Sequence, residues 1–194
     1  NFTFADWQHK TRSKLVELIG FNSQLSYNTT LTEEYIFKKK YYRKRFFIKF
    51  DTKRFAPIDL ILQINNSKPK GIMICMQGTN SGAHLNLGEI RMPADPYKVF
   101  NNSDLAIQAA DQGYLAISYE RIGYGERQER KLEKVSLNPS LDTSLHSILM
   151  SSSMIGETAS ELVAILKWLK QEKDYDIPIW LIGYSAAGYA ALIT

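Results

Sequence analysis

The sequence predicts an α/β fold with a mostly parallel central sheet and helices on both of its faces. One observation is that strand and helix patterns alternate through the second half of the chain, as they do in β–α–β units. The other is that residues 71–76 are apolar on both parities, which is typical of a central strand covered on both faces. The 194 residues, with 44% hydrophobic and 23% charged side chains, fit one globular domain.

The first 35 residues are interpreted as a helical and polar N-terminal extension. An amphipathic helix is predicted to end at Gly20, because glycine commonly stops a helix. Its apolar positions are Phe4, Trp7, Leu15, Leu18 and Ile19. A polar stretch then continues to about Tyr35, before the first predicted strand.

Two strands, Tyr41–Phe50 and residues 58–64, are expected to form an antiparallel pair ahead of the central strand. Alternation in the first of them predicts one buried and one solvated face. The buried face would carry Tyr42, Phe46, Ile48 and Phe50. The solvated face would carry Tyr41, Arg43, Arg45 and Lys49.

Six of the eight residues at 38–45 are basic, and they supply much of the net charge of +4. Basic residues interleaved with tyrosines are also found in nucleic-acid-binding proteins, which leaves an anion or nucleic-acid binder as an alternative. We favour a structural interpretation, because charged side chains on an edge strand discourage pairing with other sheets. We therefore expect no nucleic-acid partner.

The second half of the chain predicts two further strand–helix units. A capped helix runs from about Asp104 to Gln112 and leads into a strand at 114–119. A long polar loop follows from Glu120 to about Ser152, in which ion pairs of Glu126 and Arg127 are expected to hold a turn. A helix ending near Lys173 and a strand at 177–182 complete the pattern.

The last strand runs directly into the segment Gly183-Tyr184-Ser185-Ala186-Ala187-Gly188, after which a helix is predicted. A nucleophilic serine needs such a sharp strand-to-helix turn, with very small residues two positions to either side. Gly183 and Ala187 occupy those positions, and Gly188 follows. Ser185 is therefore the candidate nucleophile. The alternative is a plain connection in which glycine and serine serve only turn and cap chemistry.

Acyl transfer also needs N–H donors that face the developing oxyanion. The residue after the serine, Ala186, would supply one backbone N–H. The loop after the strand at 71–76 would supply the other, since Gly78 lets the chain turn there and leaves the N–H of Thr79 as the candidate donor. A plain glycine turn is the alternative interpretation of this loop.

These segments resemble the acetyl xylan esterase-like and dienelactone hydrolase-like branch of the α/β-hydrolase superfamily. The resemblance lies in the opening helix and in three motifs: MQGTNSGAH, GYLAISYERIGYGER, and SSSMIGETASELVAILKWL followed by IWLIGYSAAG. The chain departs from the family at four positions, where Gln77 replaces histidine, Glu120 replaces aspartate, and Ile122 and Ala187 replace glycine. The resemblance implies an α/β-hydrolase fold and hydrolysis of small carboxylic esters, with acetylated sugars as candidates, through an acyl-enzyme on Ser185.

The family places the catalytic acid and histidine after the serine, but the nine residues that follow Ser185 include neither type. We therefore expect residues 1–194 to be the N-terminal portion of a single domain, with the strand at 177–182 left as an apolar edge. His84, in the loop after the central strand, is a weaker candidate base. His9 and His146 are the other histidines, and neither is a stronger candidate.

Two alternative functions share this fold. One is a degenerate, non-catalytic binding module, and the other is a serine peptidase of the prolyl-oligopeptidase type. We expect no metal or cofactor, because the single Cys75 excludes a cysteine-based zinc site and no phosphate-binding glycine loop with its lysine is present. No apolar run is long enough to cross a membrane, and no signal peptide pattern is visible. The oligomeric state and compartment stay open.

Overall fold

The computed structural model describes residues 3–51, 54–129, 139–171 and 176–194. These residues form a six-stranded sheet in the order β1-β2-β3-β5-β4-β6. The strands are Tyr27–Phe37 (β1), Tyr41–Phe50 (β2), Arg54–Gln63 (β3), Ile72–Met76 (β4), Leu115–Tyr119 (β5) and Ile179–Gly183 (β6). The helices are Phe4–Ile19 (α1), Asp95–Phe100 (α2), Leu105–Asp111 (α3), Pro139–Leu149 (α4), Met154–Gln171 (α5) and Ala186–Ile193 (α6).

The sheet is parallel in one half and antiparallel in the other. β4 pairs in parallel with β5 and β6, whereas β1, β2, β3 and β5 pair antiparallel with one another in that order. The α/β class and the helices on both faces are confirmed. Within the described residues the sheet is mixed rather than mostly parallel. The strand β3 pairs antiparallel with both β2 and β5, and the additional strand β1 extends this antiparallel half.

A hydrophobic core lies on each face of the sheet. On one face, Trp168 of α5 is fully buried and packs edge-on against Phe46, with ring centroids 5.1 Å apart. On the other face, Cys75 and Ile61 pack against Ala106 and other small residues of α3. Consecutive residues of β4 therefore contribute to opposite cores, as predicted for a strand covered on both faces, and the Cys75 thiol is buried.

The strand β1 was not predicted. The prediction of a polar stretch without a strand up to Tyr35 is wrong for Tyr27–Phe37. β1 pairs with β2 along its whole length, with one irregularity between Leu31 and Glu33. Its side chains are mostly exposed, so it has no apolar periodicity to reveal it. Backbone hydrogen bonds and the strand preference of Thr and Tyr support it instead. The expected 35-residue extension therefore ends inside the sheet, and β1 rather than β2 is the edge strand.

The two predicted faces of β2 are wrong in its first half. Arg43 and Arg45 are buried, together with Tyr41, whereas Tyr42 is 43% exposed. The reason is ion pairing. The Arg43 guanidinium lies 2.8 Å from Asp59 and 2.6 Å from Glu89, and Arg45 lies 2.6 Å from Glu126. From Phe46 onwards the prediction holds, with Phe46, Ile48 and Phe50 buried and Lys49 exposed.

Three of the four lysines of the basic segment 38–45 also have partners within the fold. Lys38 donates to the Leu87 carbonyl at 2.8 Å, Lys40 pairs with Asp111 at 2.7 Å, and Lys44 pairs with Glu34 at 2.9 Å. Together with the arginine ion pairs, these contacts give most of the local positive charges a partner within the same chain. This agrees with the structural interpretation of the segment.

The first helix is confirmed, and it ends at Gly20, whose φ of 67° is one that glycine adopts without strain. Its apolar residues are not buried, and Phe4 and Trp7 stack on each other at 5.5 Å while remaining exposed. The predicted loop 120–152 is wrong in part, because it contains α4. The predicted helix end near Lys173 lies outside the described residues. None of the described helices combines the length and the apolar character that crossing a bilayer requires.

Candidate active site

Ser185 occupies a strained position between β6 and α6. Its φ of 51° and ψ of −120° lie in a region that residues with a side chain rarely adopt. The turn is fixed by the Tyr184 N–H, which donates to the Met76 carbonyl at 3.1 Å, and by the Gly188 N–H, which donates to the Ser185 carbonyl at 2.8 Å. The predicted strand–turn–helix context is therefore present. Backbone strain of this kind costs about 1–3 kcal/mol and clusters at functional sites.

The residues on either side of Ser185 leave no room for larger side chains. A β-carbon on Gly183 would collide with the carbonyl group of Ala187, so glycine is required there. The methyl group of Ala187 is fully buried in the core beneath the turn. Gly188 in turn lies close to the Gly183 carbonyl, which would be 3.2 Å from an added β-carbon. The departure from G-x-S-x-G is thus accommodated, because the alanine side chain points into the protein.

The loop after β4 lies directly against this turn. A β-carbon on Gly78 would stand 2.8 Å from the Tyr184 carbonyl oxygen and 3.0 Å from the Ser185 Cβ. The backbone N–H groups of Thr79 and Ala186 donate no hydrogen bond to any acceptor in the described ranges. The structure therefore brings together the loop and the serine turn that the sequence singled out, with both candidate N–H donors left unpaired.

Arg121 holds the opposite side of this loop, and sequence reasoning did not identify it. Its Nε donates to the Gln77 carbonyl at 2.9 Å and its Nη2 donates to the Gly78 carbonyl at 3.0 Å. The guanidinium is buried and lies over the Tyr124 ring, 4.5 Å from its centroid. The Tyr124 hydroxyl is 3.3 Å from the Thr79 hydroxyl. The available signal was the position of the arginine at the end of β5, in the motif ERIGYGER.

Glu120, the neighbour of Arg121, holds the far end of the same loop. Its carboxylate accepts the Ala83 N–H at 2.9 and 3.0 Å. It is packed so closely that a β-carbon on Gly125 would collide with it. Burial raises the pKa of Glu120 to about 7, against hydrogen bonds and the Arg127 charge, which lower it. Glutamate in place of the family's aspartate therefore reaches across to the loop after β4.

The turn after β5 is itself anchored to α5 by a buried ion pair. The Arg127 guanidinium contacts both carboxylate oxygens of Glu161, at 2.6 and 2.8 Å, and donates to the Glu120 carbonyl at 3.0 Å. The Tyr119 hydroxyl also donates to Glu161. Glu126 pairs on the outside with Arg45 and Arg91. The expectation that Glu126 and Arg127 hold this turn through ion pairs is confirmed.

Gln77 connects the loop to a second segment. Its side-chain amide donates to the Asn86 side chain at 2.7 Å and to the Ser103 carbonyl at 2.6 Å, and its oxygen accepts from Asn80 at 2.8 Å. Where the family has histidine, this chain has an amide that fastens the loop to the connection between α2 and α3.

The histidines of the chain have other partners than Ser185. His84 is buried, with Nε2 2.8 Å from the Asp95 carboxylate. Burial alone would raise the pKa of the Asp95 carboxyl. Hydrogen bonds from Ser81, the Arg91 backbone and His84 outweigh this effect and lower the pKa to about 2. His146 lies on α4 beside Glu129, at 2.7 Å, and His9 lies on the exposed α1. Among the described residues, no histidine contacts the Ser185 hydroxyl.

A cavity of about 350 Å³ with a mixed polar and apolar lining opens beside the serine turn, where Tyr184 and Thr79 line it. Its other walls include Gln77, Asn80 and Ser103, whose hydrogen bonds fix them in place. Lys98 is its charged residue. A cavity of this volume accepts a small organic molecule, and its amide and hydroxyl lining favours a hydrogen-bonding one.

The comparisons with known proteins agree with this architecture. The sequence profile of the Abhydrolase family matches residues 1–187. A structure assigned as an acetyl xylan esterase from Bacteroides fragilis NCTC 9343 has 20% identity and a TM-score of 0.77, over 98% of this chain and 49% of that one. A glucuronoyl esterase from Solibacter usitatus has 16% identity and a TM-score of 0.55, over 97% and 55%.

A third similar structure is acetyl xylan esterase 1 from Thermoanaerobacterium sp. JW/SL YS485, with 12% identity and a TM-score of 0.52, over 95% of this chain and 52% of that one. The chain thus spans about half the length of these neighbours. At such identities the likeness shows the fold. No curated protein is significantly similar to this chain in sequence.

Proposed function

Because this chain belongs to the Abhydrolase family, we propose that it carries the nucleophile and oxyanion-hole half of a carboxylic-ester hydrolase, with Ser185 as the nucleophile. One observation carries the proposal. Ser185 is held at a φ of 51° beside two unpaired backbone N–H groups. A strained serine next to unused donors is the arrangement that acyl transfer requires.

In the proposed reaction the Ser185 Oγ attacks the ester carbonyl carbon. The carbonyl oxygen becomes an oxyanion, which the N–H groups of Thr79 and Ala186 stabilise. Ala186 is the first residue of α6, so the positive end of the helix dipole also faces the developing charge. Collapse of this intermediate releases the alcohol and leaves an ester on Ser185, which water then hydrolyses to free the acid.

The serine needs a base to take its proton and an acid to orient that base. His84 has an acid partner in Asp95, 2.8 Å from its Nε2, but among the described residues no hydrogen bond joins its ring to Ser185. The longer neighbours contain about as many residues again as they share with this chain. The proposed reaction therefore requires a histidine and an acid that none of the described residues supplies at Ser185.

The cavity beside Ser185 supports a small polar substrate. Its walls offer amides, hydroxyls and one ammonium group, which can form hydrogen bonds with a polyhydroxylated molecule, and the rings of Tyr97 and Tyr184 offer apolar faces. The named activities of the neighbours, acetyl xylan esterase and glucuronoyl esterase, are both esterase activities on carbohydrate. We propose acylated sugars as the substrate class.

The test is hydrolysis of p-nitrophenyl acetate by the full-length protein. Ser185→Ala is expected to reduce kcat to the background rate while the thermal midpoint stays close to that of the wild type, because only a hydroxyl is lost. Ser67→Ala, an exposed serine in the turn between β3 and β4, is the control and should keep full activity. Equal activity of Ser185→Ala and Ser67→Ala would overturn the proposal. Absence of activity in the wild type would favour the non-catalytic binding module.

A further inference from the structure

We propose that Arg121 is the positioning residue of the oxyanion hole. It binds two successive peptide groups of the loop after β4 and thereby orients the N–H donor of that loop. This inference rests on the proposed function, because it concerns the same site. The inference goes beyond the proposed function because it assigns the geometry of the oxyanion hole to a residue that does not touch the substrate.

Arg121 contacts two successive peptide groups of the loop after β4. The Nε and Nη2 groups of Arg121 are parallel donors on one rigid plane, and they bind the successive carbonyls of Gln77 and Gly78 at 2.9 and 3.0 Å. Two such bonds from one planar group fix the orientation of both peptide units, whereas a single bond would let each rotate.

Peptide geometry sets the direction of the Thr79 N–H. In a trans peptide the carbonyl oxygen and the N–H of the next residue point in opposite directions, and the peptide bonds of the described residues are all trans. Since the Gly78 carbonyl points at Arg121, the Thr79 N–H must point away from it. The opposite side of this loop is the side that touches the serine turn, where Gly78 approaches the Ser185 Cβ.

The positive charge of Arg121 acts on the same loop. Among the described residues no carboxylate contacts the buried Arg121 guanidinium. Its charge acts instead on the two carbonyl dipoles and on the Tyr124 ring beneath it. A cation bound to a carbonyl oxygen polarises the whole peptide and makes its N–H a stronger donor. Arg121 would therefore both aim the Thr79 N–H and strengthen it.

The turn that carries Arg121 is anchored to the rest of the fold. Arg121 belongs to a turn that Arg127 and Glu161 tie to α5, and its neighbour Glu120 holds the Ala83 N–H at the far end of the same loop. The turn after β5 thus hydrogen-bonds to the loop after β4 at both of its ends, through Arg121 and through Glu120. An arginine on a mobile segment could not fix a donor within the few tenths of an ångström that transition-state stabilisation needs.

The experiment compares Arg121→Lys, Arg121→Ala and the control Arg91→Lys in the full-length protein with p-nitrophenyl acetate. Lysine keeps the charge but cannot bind both carbonyls in one plane. Both Arg121 variants are expected to lose about 100-fold or more in kcat with KM changed less than about threefold, because a misaligned donor weakens binding of the transition state only. Arg91 pairs with Glu89 and Glu126 outside the loop, so Arg91→Lys should keep the wild-type kcat.

Added guanidinium ion gives a second readout, which a purely structural role would not move. It should restore part of the kcat of Arg121→Ala, because it can occupy the vacated site and bind the same two carbonyls, and it should leave Arg121→Lys unimproved. Should Arg121→Ala fail to fold, the kcat and KM of Arg121→Lys decide alone.

The outcomes separate the two proposals. Wild-type kcat in folded Arg121→Lys, or a loss confined to KM, would overturn the role of Arg121 and leave Ser185 as the nucleophile. Activity that is unaffected by Ser185→Ala would remove the proposed function, and the role of Arg121 with it.

Discussion

Gly78 and Ser185 are packed so tightly that a β-carbon on Gly78 would stand 3.0 Å from the Cβ of Ser185 and 2.8 Å from the carbonyl oxygen of Tyr184. The loop after β4 and the turn after β6 are therefore set against each other by backbone contact. Any side chain at residue 78 has to push them apart.

The contact predicts that Gly78→Ala lowers activity more than stability. Separating the two segments by a few tenths of an ångström moves the Thr79 N–H away from the oxyanion, so kcat should fall about tenfold to 100-fold. Steric overpacking should cost about 1–3 kcal/mol in the free energy of unfolding. Steady-state kinetics and urea unfolding of the full-length protein measure the two effects.

The matched control for this variant is Gly113→Ala. Gly113 has a φ of 88° but lies at the far end of α3, with its nearest neighbour 3.5 Å from an added β-carbon. It should lose about 1–2 kcal/mol through backbone strain alone and keep the wild-type kcat. If both variants lost kcat equally, the close packing at Ser185 would have no special role.

Glu120 predicts a distinct pH dependence of stability. Burial raises its pKa to about 7 in the folded protein, above the ordinary value of 4.5. A raised carboxyl pKa means that the contribution of Glu120 to stability is fully present below about pH 4.5 and is lost as the pH rises through about 7. The shift of about 2.5 pKa units corresponds to a loss of about 3.5 kcal/mol, at about 1.4 kcal/mol per pKa unit.

Glu120→Gln should remove this part of the pH dependence, since glutamine does not ionise. The measurement is the free energy of unfolding of both proteins between pH 5 and 8, with Glu17→Gln on the exposed face of α1 as control. Wild type and Glu120→Gln should converge as the pH falls and differ most near pH 8. A constant difference across this range would show that Glu120 does not titrate in it.

The buried pair of Arg127 and Glu161 predicts strong but coupled effects on stability. Glu161→Gln leaves the Arg127 guanidinium buried beside a neutral amide, which should cost about 3–5 kcal/mol. In a cycle of Glu161→Gln, Arg127→Met and the variant that carries both, the double variant should cost less than the sum of the two single variants, because no charge is left unpaired. Chemical unfolding of the four proteins gives the coupling energy.

The exposed pair of Lys14 and Glu17 on α1 is the matched control for this cycle. It has a similar separation of 2.7 Å but lies in solvent, so its coupling energy should be below about 1 kcal/mol. Additive effects at Arg127 and Glu161 would contradict the interpretation that this pair anchors the turn after β5.

The features predicted correctly from sequence are the local ones. The turn at Ser185 is specified by six consecutive residues, and the central strand β4 by its own apolar composition. The α/β class follows from the order of such segments.

The features that sequence reasoning missed depend on partners that lie far away in the chain. Arg43 is buried because Asp59 and Glu89, 16 and 46 residues later, neutralise it, and Arg121 acts on the Gln77 carbonyl 44 residues before it. β1 is held by its pairing with β2 rather than by an apolar pattern of its own. No periodicity within one segment carries this information, so a basic strand looks solvated and a polar strand looks like a loop.

The central claim is that Ser185 is an activated nucleophile, and covalent labelling of the full-length protein with a fluorophosphonate tests it most directly. The account predicts one adduct per chain, located by peptide mass spectrometry on Ser185, and none in Ser185→Ala. Lack of labelling, or labelling of a different serine while Ser185 stays unmodified, would contradict it.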